Sequence, residues 1–180
     1  EVGHRGYMHE APATLSPEKE LEVLDHGSGI LERITGQKVL GYRSPSWELS
    51  EYSIQYLIDR GFVYDSSLMG DDIPYIVTEG DSQLVEIPVH WEWDDHPYFS
   101  FAPALGGRSA MASPEQVYQV WSAGFEGAYH YGRAFVLTMH PHIIGRPGRL
   151  RMLERLIAYM KSMPGVEFRR AIDVATEWKA

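Results

Sequence analysis

The chain has 180 residues, of which 44% are hydrophobic, so it is long and apolar enough to bury the core of one domain. Its formal net charge of −9 argues against nucleic acid or an anionic membrane as the partner. No apolar run approaches the ~20 residues of a membrane-spanning helix. Because cysteine is absent, disulfides and thiolate chemistry are excluded, which leaves histidine and carboxylate side chains as metal ligands. We expect no nucleic-acid partner, no membrane partner and a cytoplasmic location.

Helix signals and short apolar runs divide the first half of the chain. Ser16 is an N-cap residue, Pro17 suits the first turn, and Glu18 lies at the positive end of the helix dipole, which together predict the start of a helix. Gly36 ends it. The predicted elements are, in chain order, a helix at 16–35, a strand at 39–42, a helix capped by Ser50 and closed by Gly61, and a strand at 62–64.

The second half alternates in the same way. Residues 84–90 alternate between apolar and polar types and predict a strand, whereas 91–112 are irregular and rich in aromatic residues, Gly and Pro. Ser113 repeats the N-cap signal and begins a helix. The apolar run 134–139 is typical of a strand covered on both faces. The remaining predicted elements are a helix at 150–160, a strand at 166–168 and a helix at 172–178.

The alternation of strands and helices predicts an α/β fold with a parallel sheet, either open or closed into a barrel. Each predicted strand ends at a polar side chain suited to chemistry: Arg43, Asp65, His90 and His140. In α/β folds the functional site lies at the carboxyl ends of the strands. This is the strongest indication of function that the residues give without reference to a family.

The first candidate cluster is the loop from Gly3 to Glu10. His4 and His9 lie in it with Gly6 between them, and two such side chains are able to converge on one metal ion. The alternative is a pair of solvated loop histidines, which is the commoner outcome for a bare pair.

Two more clusters follow predicted strands. Arg43 is followed by Pro45 and is suited to hold a carboxylate through two hydrogen bonds, while Trp47 offers a flat face to a sugar ring. The alternative is a surface arginine and a core tryptophan. His140 directly ends the apolar run 134–139, where a partly buried general acid is useful, and it is preferred to His142. Its alternative is a structural histidine bonded to a neighbouring carbonyl.

Acidic and aromatic residues complete the set of candidates. Asp65 is placed to orient a catalytic histidine, whereas Asp71-Asp72 fits a turn because it lies between Gly70 and Pro74. The stretch 90–96 has two tryptophans and three acidic residues, and it suits either a wall of the substrate cleft or an irregular loop anchored by tryptophan.

Five segments of the chain together resemble the polysaccharide deacetylases of NodB type, in the branch that holds peptidoglycan deacetylases and the cyclic-imide and allantoin amidohydrolases. In order they are GHRGYMHE, GYRSPSW, YDSSLMGDDIPY, EIPVHWEWDD and LTMHPHIIGRP. The resemblance covers nearly the whole chain. It implies an α/β fold, a distorted (β/α)7 barrel that is incomplete in this chain.

The resemblance also implies a mechanism for hydrolysis of an amide bond. A water molecule attacks the carbonyl, an aspartate takes its proton, and a histidine protonates the leaving amine. On this resemblance Arg43 orients the base and His140 is the general acid. Trp47, Tyr7 and Arg5 are the expected substrate-binding residues.

The chain departs from the family pattern at two places. The family's opening motif, a strand that ends in an acidic pair and supplies the base and a metal ligand, is expected upstream of Glu1. Residues 1–180 are therefore expected to be the C-terminal portion of a single catalytic domain. The family's metal pair is His-x-x-x-His, and alignment on His9 places Arg5 at the first histidine. An arginine stays protonated and does not bind a cation.

Arg5 therefore weighs against a bound Zn²⁺ or other divalent metal, although His9 and His4 stay the candidate ligands. Three functions remain open. The leading one is N-deacetylation of an amino-sugar polysaccharide such as peptidoglycan or chitin oligomers. The others are metal-independent opening of a cyclic imide or ureide, and carbohydrate binding without catalysis. The expected partner is a carbohydrate or a small cyclic amide, and both a homo-oligomer and pairing with the N-terminal segment are left open.

Overall fold

A computed structural model describes residues 1–101 and 111–178 of the chain. The chain divides into two compact units, one formed by residues 1–88 with 169–180 and the other by residues 89–168. Among the described residues, no helix has both the length and the apolar character that crossing a membrane requires. The predicted single catalytic domain stays a prediction.

The long helix of the first unit, α1 (Pro17–Thr35), begins and ends where its sequence signals predict. Ser16 Oγ accepts a hydrogen bond from the Lys19 N–H at 3.3 Å, and Pro17 occupies the first turn. Gly36 ends the helix in the left-handed conformation with φ 70°. Its buried face includes Val23, Leu24 and Gly27 and packs toward the sheet.

The first unit has a sheet of four strands in the order β1-β2-β4-β3. The strands are β1 (Gly41–Tyr42), β2 (Tyr64–Asp65), β3 (Tyr75–Glu79) and β4 (Ser82–Glu86). β1, β2 and β4 are parallel, and the register places Asp65 beside Glu86. β3 and β4 form an antiparallel hairpin. His4 extends the sheet beyond β1 through a parallel bridge to Tyr42.

Two further helices cover this sheet, α2 (Ser53–Asp59) and α7 (Ala171–Trp178). α2 packs against β4, and α7 packs against β2 and β4. The buried hydrophobic cluster of this unit includes Leu24 of α1, Leu57 of α2 and Leu84 of β4. Burial of these side chains, each at 5% exposure or less, is the main force that holds the helices to the sheet.

The strands of the first unit differ from their predicted bounds. The strands predicted at 39–42 and 62–64 are β1 and β2, each of two residues, and the strand predicted at 84–90 is the later part of β4. β3 was not predicted. It pairs with β4 across a two-residue turn that contains Gly80 with φ 58°, a conformation that suits glycine.

The second unit is mainly helical in its described residues. Its helices are α3 (His96–Phe99), α4 (Pro114–Tyr131), α5 (Pro141–Ile144) and α6 (Pro147–Ser162). α4 starts at the predicted N-cap, since Ser113 and Gln116 form a reciprocal capping box. α4 packs against α6 around a core that includes Trp121, Phe125 and Leu156. Part of the predicted irregular segment 91–112, residues 102–110, lies outside the described residues.

Two predicted strands of this unit are wrong. Residues 134–139 form a single parallel bridge, Asp94 with Thr138, instead of a strand. Phe135 and Leu137 of this run pack against the helical core, which explains its apolar character without a ladder. Residues 166–168 also have no strand assignment, and Val166 packs against the same core.

We predict that Gly27→Ala destabilises the protein, although alanine normally favours a helix interior. A β-carbon at Gly27 would overlap Nε2 of the buried His4 ring, so the expected loss is ~1–3 kcal/mol in the free energy of unfolding. Gly29→Ala is the matched control, because position 29 is exposed and its β-carbon would meet no atom within 4 Å. It should stabilise by ~0.5–1 kcal/mol. Urea unfolding of both variants checks this, and equal effects would contradict the packing of His4 against α1.

Candidate active site

The loop that begins the first unit gives its two histidines different environments. His4 is buried at 1% exposure, its Nδ1 accepts a hydrogen bond from the Gly6 N–H at 3.1 Å, and its ring stacks on Tyr42 with centroids 5.5 Å apart. Burial lowers the pKa of His4, an effect that the backbone at Leu24 opposes. His9 is exposed and has a positive φ of 65°. His4 is thus a neutral packing residue in this arrangement.

Arg5, between these histidines, turns toward the segment that follows β1. Its Nη1 donates a hydrogen bond to the Ser44 carbonyl at 3.1 Å. Tyr7 is exposed, and its ring meets the His26 ring edge-on at 4.4 Å between centroids. The loop is held by Glu10, whose Oε2 accepts hydrogen bonds from the Tyr7 and Met8 N–H groups.

A family-type metal site does not fit this loop. Arg5 occupies the position of the first ligand, and one ring nitrogen of His4 is already an acceptor inside the protein. Only His9 presents an exposed imidazole here. The assignment of His4 and His9 as metal ligands stays a prediction that this geometry does not favour.

Arg43 is held by the turn that follows β2. Its Nε donates to the Ser66 carbonyl at 3.0 Å and its Nη2 donates to Ser66 Oγ at 2.7 Å. Burial is the main reason that the pKa of Arg43 is lowered, and the nearby charge of Arg5 adds to it. The structure thus brings Arg5 and Arg43 to one segment of the first unit. Two cations at this place suit the binding of an anion or a polarised carbonyl.

Trp47 lies in a short 3-10 turn (Pro45–Trp47) directly after Arg43 and Ser44. Ser46 and Trp47 both have positive φ, 53° and 59°, which are uncommon values for residues with a β-carbon. Trp47 is buried at 6% exposure, so the indole is largely a core side chain here. Its predicted role in stacking on a sugar ring stays a prediction.

His140 lies in the second unit against a carboxylate that local sequence patterns did not single out. Both oxygens of Asp95 accept from His140: Oδ2 from its backbone N–H at 2.9 Å and Oδ1 from ring Nδ1 at 2.6 Å. Asp95 is fully buried, whereas the His140 side chain is 23% exposed. Because a carboxylate only accepts, Nδ1 carries the proton, which leaves Nε2 as the other ring nitrogen.

The neighbouring Asp94 makes a different hydrogen bond from that of the Asp95–His140 pair. Its Oδ1 accepts the His96 N–H at 2.6 Å at the start of α3 and lies 3.9 Å from Nδ1 of His140. Burial raises the pKa of Asp94, while the His96 N–H and the charge of His140 oppose the rise. The described residues bring together one group of three side chains that could bind a metal ion, Asp94, Asp95 and His140. Their possible ligand atoms lie within 4.8 Å of one another.

The carboxylate and imidazole groups of this cluster are suitable ligands for a divalent metal, but their hydrogen bonds favour a role of Asp95 in orienting His140. Asp95 Oδ1 is already paired with Nδ1 of His140, and Asp95 Oδ2 with the His140 backbone N–H, so a metal would have to break these hydrogen bonds. A carboxylate that orients a histidine explains the same contacts without displacement.

Comparison with known proteins settles the family. A peptidoglycan deacetylase of Helicobacter pylori is 31% identical over 205 aligned positions, which include 99% of this chain and 70% of that protein. The chain belongs to the polysaccharide deacetylase family. A Mycobacterium smegmatis structure assigned as a polysaccharide deacetylase superposes with a TM-score of 0.95 at 35% identity, over 99% of this chain and 63% of that one. No protein-family model matches the sequence.

These matches confirm the predicted family and its α/β fold. This chain spans less than two thirds of the length of the mycobacterial protein. An allantoinase structure also superposes, with a TM-score of 0.86 at 24% identity, over 99% of this chain and 58% of that one. At that identity the allantoinase match concerns the fold alone.

We predict that Asp95→Asn releases the His140 ring, while Asp94→Asn leaves it in place. An asparagine at 95 accepts only one of the two bonds that the carboxylate accepts, and its NH₂ faces the other donor. The proton on Nδ1 should give a strongly downfield NMR signal in the parent protein that disappears in Asp95→Asn. We expect a loss of ~1.5–3 kcal/mol in the free energy of unfolding.

Asp94→Asn is the matched control, because its amide oxygen still accepts the His96 N–H. A downfield signal that vanishes equally in both variants would contradict the assignment of Asp95 as the partner of His140.

Proposed function

We propose that this protein hydrolyses the amide bond of N-acetylated amino sugars in a polysaccharide such as peptidoglycan. The observation that carries the proposal is the buried Asp95 carboxylate behind His140, which leaves one ring nitrogen of a partly exposed imidazole for proton transfer. The names of the relatives support it, since the Helicobacter pylori protein is called a peptidoglycan deacetylase.

The chemistry of the proposed reaction requires a proton for the leaving group. Water adds to the amide carbonyl carbon, and its proton passes to a base. As the C–N bond breaks, protonated His140 gives its Nε2 proton to the amine, so the products are acetate and a free amino sugar. Asp95 fixes the ring orientation and stabilises the imidazolium that this step needs.

Arg43 is proposed to orient the carboxylate that acts as base, as its place in the family motif implies. Its Nε and Nη2 are fixed on Ser66, so the guanidinium is held in one orientation. Trp47, Tyr7 and Arg5 are the proposed substrate-binding residues, and a carbohydrate polymer is the proposed partner.

Arg5 is proposed to replace the metal-binding histidine of the family and to act without a bound cation. Its hydrogen bond to the Ser44 carbonyl keeps a positive charge beside Arg43. The same charge is able to polarise a carbonyl oxygen. This feature also suits metal-independent hydrolysis of a cyclic ureide, which is the second candidate function.

Acetate release separates the candidates. The complete protein is incubated with N-acetylglucosamine oligomers and with peptidoglycan, with zinc and with chelator, beside allantoin and hydantoin as alternative substrates. Acetate from the polymers supports the deacetylase. Turnover of the ureides alone would overturn it in favour of the second candidate, and binding of oligomers without any turnover would indicate a carbohydrate-binding protein.

We predict that His140→Ala lowers kcat by roughly 10²–10⁴-fold, because the leaving amine loses its proton donor. His142→Ala is the control, since His142 is an exposed neighbour whose ring centroid lies 5.9 Å from that of His140. It should retain most of the activity. Steady-state kinetics on an acetylated oligomer measures both, and a His140→Ala enzyme at full rate would remove His140 from the mechanism.

We predict that Arg5→His creates zinc binding. The substitution restores the His-x-x-x-His spacing with His9, and a neutral imidazole replaces a side chain that repels cations. Zinc content by elemental analysis and activity after chelator treatment are the measurements. Arg5→Lys, which keeps the charge, is the control and should bind none. Stoichiometric zinc in the parent protein that is lost in His9→Ala would contradict the role assigned to Arg5.

A further inference from the structure

Two buried carboxyl groups of the first unit take no part in the proposed mechanism. Asp65 ends β2, Glu86 ends β4, and the parallel register sets them side by side. Both are fully buried at 0% exposure. Two neighbouring carboxylates that are both buried away from water repel each other strongly when both are ionised. The arrangement therefore needs a proton between them.

The hydrogen bonds identify which oxygens are left for that proton. Asp65 Oδ1 accepts from Ser67 Oγ at 2.7 Å, and Glu86 Oε1 accepts the N–H groups of Ser67 and Leu68, both at 2.9 Å. The remaining oxygens, Asp65 Oδ2 and Glu86 Oε2, are buried and meet no donor among the described residues. A proton on one of them makes it the donor to the other.

The turn that these carboxyl groups bind is the one that holds Arg43. Ser66 accepts two hydrogen bonds from the guanidinium, one through its carbonyl and one through its hydroxyl. Ser67 Oγ accepts the Ser44 N–H at 2.8 Å, directly after Arg43. The acid pair is therefore connected to Arg43 through two serines.

We propose that Asp65 and Glu86 share one proton at neutral pH and act as a positioning pair, which fixes the Ser66–Ser67 turn and through it the orientation of Arg43. The catalytic part of this inference rests on the proposed function. Burial, followed by the charge of Asp65, raises the pKa of Glu86 to about 10, and burial raises that of Asp65.

Other ionisable groups surround the pair. Arg43 and Tyr75 interact with both carboxyl groups, and Tyr42 and Tyr64 interact with Asp65. Two helices that pack against β4 also carry titratable residues. On α2 these are Tyr56 and Asp59. On α7 they are Asp173, which pairs with Arg170, and Glu177, which pairs with Arg169.

The shared proton has a consequence for stability. At pH values between 4.5, the ordinary pKa of a glutamate, and about 10, the raised pKa of Glu86, the folded protein keeps a proton that the unfolded chain releases. Stability therefore falls as pH rises through this window, because the unfolded state binds fewer protons. The folding equilibrium constant changes by up to about tenfold per pH unit for one proton. Below pH 4.5 this contribution has no slope.

Glu86→Gln tests the proton itself. The amide keeps the bonds from Ser67 and Leu68 through its oxygen and donates its NH₂ to Asp65, so it mimics the protonated acid. We expect an infrared carboxylic-acid C=O band at pH 7 in the parent protein that is absent in Glu86→Gln. The fall in stability from pH 6 to 9 should also be smaller in Glu86→Gln. Glu79→Gln, at an exposed position of β3, is the matched control and should keep both features.

Absence of the band in the parent protein, or the same pH slope in both glutamine variants, would overturn the shared proton. Neither measurement uses enzyme activity, so they stand apart from any failure of the proposed function.

The positioning role is tested by kinetics on the complete protein. Glu86→Gln should keep kcat close to the parent value, whereas Glu86→Ala leaves two N–H groups without an acceptor and should lower kcat by about 10–100-fold with a smaller change in KM. In the background of Arg43→Ala, Glu86→Ala should have no further effect on kcat. Equal losses in the glutamine and alanine variants, or additive losses with Arg43→Ala, would overturn the connection to Arg43.

If Glu86→Ala does not fold, the double variant Asp65→Asn with Glu86→Gln replaces it. It sets two NH₂ groups against each other, so it should be less stable than the sum of the two single variants implies. Additive effects would contradict the hydrogen bond between the two side chains.

Discussion

The site in the first unit depends on how a buried turn satisfies its own polar groups. Ser66 and Ser67 are each 1% exposed, so water does not reach their backbone or hydroxyl groups. The Ser66 N–H donates to the Tyr42 carbonyl and its hydroxyl to the Ile87 carbonyl, while Ser67 bonds to both acid side chains. An unpaired group here would cost ~1–3 kcal/mol, which leaves the turn a single favourable arrangement. Because Arg43 donates hydrogen bonds to Ser66, that arrangement also fixes the position of its guanidinium.

In the second unit, too, a buried carboxyl group holds a basic side chain in one orientation. A fully buried carboxylate, Asp95, holds a partly exposed basic residue, His140, with both of its oxygens. In each unit the acid side chain is buried, and it fixes, directly or through serines, the basic side chain for which a catalytic role is proposed. A group held in this way loses little conformational entropy when it meets a substrate, which is the benefit of preorganisation in catalysis.

The longer helices were predicted well because their signals are local, whereas the four-residue helices α3 and α5 were not predicted. The Ser-Pro-Glu motif at Ser16 and again at Ser113 marks a capped first turn, and both helices begin there. Strands depend on partners elsewhere in the chain, so their bounds were poorer. β3 was missed although Gly80-Asp81 between two extended runs is a hairpin signal, and the run 134–139 was assigned to a sheet because burial against helices gives the same apolar composition.

The candidate site shows the same division. The ends of predicted strands pointed to Arg43, Asp65 and His140, since polar residues after apolar runs are visible in the sequence. Their partners were not visible: Glu86 meets Asp65 only because of the β2–β4 register, and nothing local distinguishes Asp95 from Asp94. The backbone resolves the second case, because Asp94 is taken by the His96 N–H at the start of α3, which leaves Asp95 to bind His140. A residue's neighbours in the chain indicate which chemistry it is able to perform, while its neighbours across the fold decide whether it does.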